Sequence, residues 1–256
     1  MNGNLCPDCA GTDVEGFFAA PAAPRLAAVS VDLDDTLYPQ EAWLDGALRT
    51  VAHEAARRFG LPAQRLHEAL AGQAGRGSDR GGIIDRALVG IGADVPVEPL
   101  VEAFRSHRVG CLSPYPGVEA ALQNVRRAGI PVAVVTDGFP PQQRDKLAAL
   151  GLDHLFDAIV VSDELGTREL RKPRPEPFLV AARRLGVPPR GMVHVGDRPE
   201  KDVAGARAAG LLGAIRVRTG EYRHRPCGAP GFGCFPDAAS ALVHLTWAAR
   251  VPRHRP

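Results

Sequence analysis

The stretch Ala27-Ala28-Val29-Ser30-Val31-Asp32-Leu33-Asp34-Asp35-Thr36-Leu37-Tyr38 decides the fold of this chain. Its apolar run, Leu26 to Val31, is short, rich in small and β-branched residues and stops abruptly, the pattern of a strand buried on both faces. Three carboxylates then crowd the strand end at Asp32, Asp34 and Asp35. Such a cluster repels itself and resists desolvation unless a cation sits within it. Magnesium, a hard cation that prefers oxygen, meets that need.

Working outward, similar apolar runs recur at Ile130 to Val135, Ala158 to Val161, Met192 to Val195 and Gly213 to Val217. Helical patterns lie between the later runs, at Val118 to Ala128, Gln142 to Leu150, Glu176 to Leu185 and Lys201 to Ala209. Strand and helix in alternation predict an α/β core with a parallel sheet, over residues 25–38 and 113–249. Residues 39–112 interrupt that rhythm with far more chain than a crossover needs. Their helix-like pieces, Trp43 to Phe59, Ala63 to Gly72, Ile83 to Val89 and Val97 to Arg108, predict a small all-helical cap. Residues 1–24 form an irregular, Ala/Pro-containing segment, and 250–256 a basic tail. Open sheets of this kind bind ligands at their carboxyl edge, so a cap over that edge would meet the ligand.

A hydrophobic strand ending in Asp-x-Asp-x-Thr resembles the first signature of the haloacid dehalogenase-like (HAD) superfamily, whose core is a Rossmann-like parallel sheet. In that pattern the first aspartate attacks phosphorus and the second handles the proton of the leaving oxygen, roles that the resemblance carries to Asp32 and Asp34. Asp35 falls between the matching positions and reads as a turn or capping residue. Val132 to Gly138 resembles the second motif, making Thr136, with Asp137 and Gly138, the phosphate-binding set. Lys172, ahead of a proline-rich helix entry, matches the motif lysine that neutralises nucleophile and phosphate together. Arg171 and Arg174 beside it read as solvated neighbours. The segment from Gly166 to Lys172 is a few residues longer than the family usually has, which leaves its conformation open. Gly196-Asp197 and Asp202 resemble the fourth motif. The resemblance implies magnesium on Asp32, Asp34 and Asp197, with Asp202 supporting from behind, where it could equally serve only as a helix-stabilising charge.

The four motifs stand in family order. Together they imply a magnesium-dependent phosphatase that hydrolyses a small soluble phosphomonoester through an aspartyl-phosphate intermediate, since Asp34 is the residue that the superfamily's dehalogenases lack. Two alternatives stay open: a sugar phosphomutase of the same superfamily, and a non-catalytic binding or regulatory protein that kept the fold. Arg76 and Arg80, in the loop Gly75 to Gly82, are candidates for a second anionic part of the substrate, against the plainer reading of a solvated loop.

Composition excludes some partners. A formal net charge of +2 and 5% aromatic residues supply neither the field nor the stacking platforms of a nucleic-acid binder. No stretch approaches a membrane span, and the N-terminus carries neither a basic leader nor an apolar run, so a cytoplasmic address is expected. Of the five cysteines, Cys6 and Cys9 have metal-ligand spacing and Cys227 and Cys234 form a second pair, a possible four-thiolate zinc clip. Cys111 reads as a small buried thiol, and His194, inside an apolar run, as a satisfied core histidine.

Overall fold

A computed structural model describes residues 25–227 and 233–250 of the chain. The five apolar runs form the strands β1 (Ala28–Val31), β2 (Val132–Thr136), β3 (Ala158–Val161), β4 (Met192–Gly196) and β5 (Gly213–Val217). A sixth, β6, is only Cys234–Phe235. All neighbouring pairs are parallel and the order is β3-β2-β1-β4-β5-β6. Every residue of β1, β2, β4 and β5 is buried, which is why these strands read as unbroken apolar runs instead of alternating ones. The order reverses at β1: β2 lies on one side of it and β4 on the other, in register Val29 with Val132 and Val31 with Val195. The carboxyl ends of β1 and β4 therefore flank the crevice where such sheets bind ligands.

The chain divides into two compact units. One, Gln40–Leu112, contains the helices α1 (Gln40–Phe59), α2 (Ala63–Ala74), α3 (Ile83–Ile91) and α4 (Glu98–Ser106), and no strand among the described residues. Leu48, Val51, Leu66, Leu70 and Leu100 make its own core, and Trp43 meets Phe104 edge-on at 5.7 Å.

The second unit holds the sheet and the helices α5 (Val118–Arg127), α6 (Pro140–Leu150), α7 (Glu176–Arg184), α8 (Ala204–Ala208) and α9 (Ala238–Arg250). Phe178, Ala181 and Ala182 of α7 pack with Ala206 of α8 against Ala28, Ala133 and Val160 of the sheet. Two elements go beyond the sequence reading. β6 is too short to show periodicity, and α9, which packs on α5, is alanine-rich and has Asp237 as its start signal, the carboxylate accepting the Ser240 N–H at 2.7 Å. No helix among the described residues is long and apolar enough to cross a membrane.

Candidate active site

The end of β1 supplies two aspartates and anchors a third. The ladder runs on through Asp32, whose N–H reaches the carbonyl of Val195 at 2.9 Å, and the chain then turns with Leu37 N–H on the carbonyl of Leu33 at 3.0 Å. Asp35 sits inside that turn at φ 58°, a left-handed conformation that aspartate tolerates better than most residues. Its carboxylate accepts the Glu221 N–H at 3.1 Å and its carbonyl accepts the Thr219 hydroxyl. Gly220 makes this contact possible, because a Cβ there would stand 2.0 Å from the Asp35 Cγ. Asp35 is thus spent on tying the loop after β5 to the turn after β1.

Asp32 points the other way, into a buried charge cluster. Lys172 Nζ lies 2.6 Å from Asp32 Oδ1, 2.7 Å from Asp202 Oδ1 and 3.1 Å from the carbonyl of Val135, so the ammonium has three acceptors from three segments. Asp202 also accepts the Arg198 N–H at 2.9 Å and a bond from His194 Nε2 at 3.2 Å. An ionised carboxylate can only accept, so His194 Nε2 carries the hydrogen and Nδ1 accepts from the Ser30 hydroxyl at 2.9 Å. His194 is fully buried, and burial holds it below the usual imidazole range, in its neutral form. Close approach again needs a glycine: a Cβ on Gly196 would stand 2.3 Å from Asp202 Cγ.

The carboxylates of this cluster are unevenly satisfied. Burial pushes Asp32 up to about 7, against the opposing pull of Lys172. Asp197 is raised well above its ordinary value by burial and then by its neighbours Asp202 and Asp32. Asp202 is held down, because Lys172 and His194 outweigh the effect of its burial. Both oxygens of Asp197 are buried without a hydrogen-bond partner, with Arg198 Nε 3.9 Å from Oδ2. Ligand oxygens of Asp32, Asp197 and Asp202 all lie within 4.8 Å of one another. Orphaned buried carboxylate oxygens facing further carboxylates are a donor set that fits a hard divalent cation.

Asp34 belongs to a separate knot. Lys146 Nζ stands 2.8 and 3.1 Å from its two oxygens, Tyr38 donates to Oδ1 at 2.5 Å, and Gln143 Nε2 donates to Oδ2 at 2.9 Å. Burial raises its pKa, but Lys146, Tyr38 and Gln143 together reverse that and leave it below the ordinary value. The same Gln143 nitrogen reaches Thr136 Oγ1 at 2.6 Å, so Thr136 and Asp34 share a donor. Asp137 accepts from Ser162 at 2.8 Å and from the Lys172 N–H at 3.0 Å, with Lys201 Nζ at 3.3 Å, and so fixes the loop that carries Lys172. Gly138 follows at φ 133°, with the Gln143 side chain packed against it.

Residues 26–210 match the model of the haloacid dehalogenase-like hydrolases. The chain belongs to that family. It is 37% identical over 205 residues to the glyceraldehyde 3-phosphate phosphatase of Methanopyrus kandleri, covering 77% of this chain and 86% of the relative. It is also 37% identical over 200 residues to the phosphoserine phosphatase of Thermus thermophilus, covering 77% and 74%. The crystal structure of a HAD phosphatase from Thermococcus onnurineus superposes with a TM-score of 0.62 at 26% identity, covering 88% of this chain and 99% of that one.

Within this HAD-like hydrolase several side chains lie otherwise than their sequence suggests. Arg171 is not a solvated neighbour: its guanidinium forms a two-point pair with Asp163 at 2.5 and 2.6 Å, bracing the long segment before Lys172. Cys111 is exposed, not buried, because it falls in irregular chain after α4 instead of on a packed face. Arg174, by contrast, is exposed beside Glu176 as expected of a solvated neighbour, and Arg76 and Arg80 are exposed in their loop. Cys227 and Cys234 pack together as buried thiols, and burial, then Cys227, pushes the Cys234 thiol up to about 11. The other half of the suggested zinc clip, Cys6 and Cys9, lies outside the described residues.

Lys146, Gln143 and Tyr38 drew no functional reading from sequence. A signal was there: Gln143, Lys146, Leu147 and Leu150 are spaced to share the inward stripe of α6, where a lysine is out of place.

Proposed function

We propose that this chain is a magnesium-dependent phosphatase that hydrolyses a small phosphomonoester through a phosphoryl group carried on Asp32. The single observation behind this reading is the buried cluster at the β1 and β4 ends, in which Asp32 is pinned by Lys172 and faces Asp197, whose two oxygens lack any hydrogen-bond partner. Asp32 and Asp197 would hold the cation; Asp34, expected from the sequence as a third ligand, has both carboxylate oxygens taken by Lys146, Gln143 and Tyr38 and is left to the proton. When bound, the cation supplies positive charge that offsets phosphate and carboxylate repulsion.

The chain's own residues account for the rest. An Asp32 carboxylate oxygen forms a bond to phosphorus while the bond from phosphorus to the leaving oxygen breaks, its electron pair going to that oxygen. Asp34, which its donors hold ionised in the free chain, takes up a proton as the phosphate dianion binds and gives it to that oxygen. Water then attacks phosphorus on the aspartyl-phosphate, Asp34 takes the proton from it, and the Asp32 oxygen is released. Lys172 keeps its charge throughout, since Asp202 and Asp32 hold its pKa above the ordinary value in spite of burial. The Thr136 hydroxyl binds a phosphate oxygen without adding charge.

Both relatives named above are named for phosphate esters with a three-carbon skeleton, which supports a short, polar C3 phosphomonoester as substrate. A phosphate-release screen over such esters, with magnesium and with chelator, tests the reading. Turnover that needs magnesium and falls at least about 1,000-fold in Asp32→Asn is expected. No release from any ester, or equal release by Asp32→Asn, overturns it.

A further inference from the structure

Lys146 is one of the most deeply buried charged residues of the molecule, and its position in α6 does not call for a charge. Its side chain is 3% exposed and lies in the stripe Gln143, Lys146, Leu147, Leu150, where leucine or methionine would pack without the cost of desolvating an ammonium. The ammonium is matched by one group that the mechanism above uses: it spans both oxygens of Asp34, at 2.8 and 3.1 Å. Gln143, one turn earlier, adds the bridge between Asp34 Oδ2 and Thr136 Oγ1. Tyr38 closes the other side through Oδ1.

Those contacts have a geometric consequence. An aspartate carboxyl turns about two side-chain bonds, and on a chain that is leaving a strand the local restraint is Tyr38, which holds one oxygen. Two donors from one helix and one from the turn after β1 leave it a single direction. The helix that supplies them begins four residues beyond Thr136, so the proton-handling group and the phosphate-binding hydroxyl are set by one rigid element.

We propose that Lys146 and Gln143 are positioning residues of the phosphoryl-transfer reaction: they aim the Asp34 carboxyl at the leaving oxygen and lock that aim to Thr136. This rests on the phosphatase reading above. The two residues touch no reacting atom and work through Asp34, which makes a specific prediction about leaving groups. An alkyl ester needs its leaving oxygen protonated; 4-nitrophenyl phosphate, with a stable phenolate, needs this far less.

The test compares kcat/KM, which reports the first phosphoryl transfer, for a C3 alkyl phosphate and for 4-nitrophenyl phosphate. Lys146→Met is expected to lose about 100-fold on the alkyl ester and under about 5-fold on the nitrophenyl ester, the range that general acid catalysis supplies. Lys146→Arg recovers most of the alkyl activity. In an Asp34→Asn background Lys146→Met costs nothing further, because the group it aims is gone. Gln143→Leu, which leaves the buried ion pair intact and serves if Lys146→Met fails to fold, loses about 10-fold on the alkyl ester alone. Equal losses on the two esters, or losses that multiply in the Asp34→Asn background, overturn the positioning role while leaving the phosphatase reading in place. A wild-type chain that turns over neither ester overturns both.

Discussion

At the residue scale the energetics turn on unequal carboxylates. Asp202 is satisfied by Lys172, His194 and a backbone N–H, whereas Asp197, equally buried, has no donor. Burying a charge without a partner is costly, and the raised pKa of Asp197 expresses that cost. The prediction is specific to this residue: with chelator at pH 8, Asp197→Asn melts at or above the parent chain's Tm, although it has lost a residue of the site. Magnesium raises the parent's Tm and leaves the variant's unchanged. A chelated variant that melts several degrees lower would show that Asp197 supports the fold instead of burdening it. Calorimetry on both proteins in both buffers decides.

At the element scale, α6 and α9 show how differently helices contribute. α6 turns polar side chains inward, Gln142, Gln143 and Lys146 all buried, and so contributes groups to the site. α9 turns Ala241, Leu242 and Leu245 inward against α5 and has no member in the charge cluster. Leu242→Ala is therefore expected to cost about 2–5 kcal/mol in denaturant unfolding, from lost burial and the cavity left behind. The kcat of the folded fraction should stay within about 2-fold of the parent, since the truncation is far in kind from the machinery. A large kcat loss with unchanged stability would overturn this division of labour.

At the scale of the whole molecule, stability should follow the titration of the cluster. Asp32 titrates near 7 in the folded chain against 3.8 in the unfolded one, and Asp197 is raised in the same direction. Between those limits the folded state binds more protons than the unfolded state, so unfolding free energy falls as pH rises. Asp202 is shifted the other way; its contribution is present above pH 3.8 and is lost only as pH falls through its depressed folded value. His194, buried in its neutral form, works against this below its unfolded value of 6.5, where the unfolded chain binds the extra proton, but Asp32 and Asp197 are two groups against one. The metal-free chain should thus have a lower Tm at pH 8 than at pH 5.5, and magnesium should restore more at pH 8, where its carboxylate ligands are free of protons. A metal-free Tm that is flat or rising over this interval would contradict the assignment of buried, uncompensated carboxylates to Asp32 and Asp197.

The sheet and most of the cluster are legible along the chain. Buried parallel strands are continuous apolar runs whose ends are marked by the first polar residue, so β1 to β5 and the placement of Asp32, Thr136 and Asp197 at strand ends could be read along the chain. Lys172 was legible from its motif alone. Folding in three dimensions set the pairings across large sequence separations, Lys146 with Asp34 at 112 residues and Asp35 clamped to the loop at Gly220, and it also braced Arg171 on Asp163 instead of water and left Cys111 exposed. Local periodicity says which face of a helix is buried, but not which charge waits on the other side. Whether a lysine in an apolar stripe is an error, a salt bridge or part of a site depends on the strand end packed against it, and that neighbour is chosen by the fold.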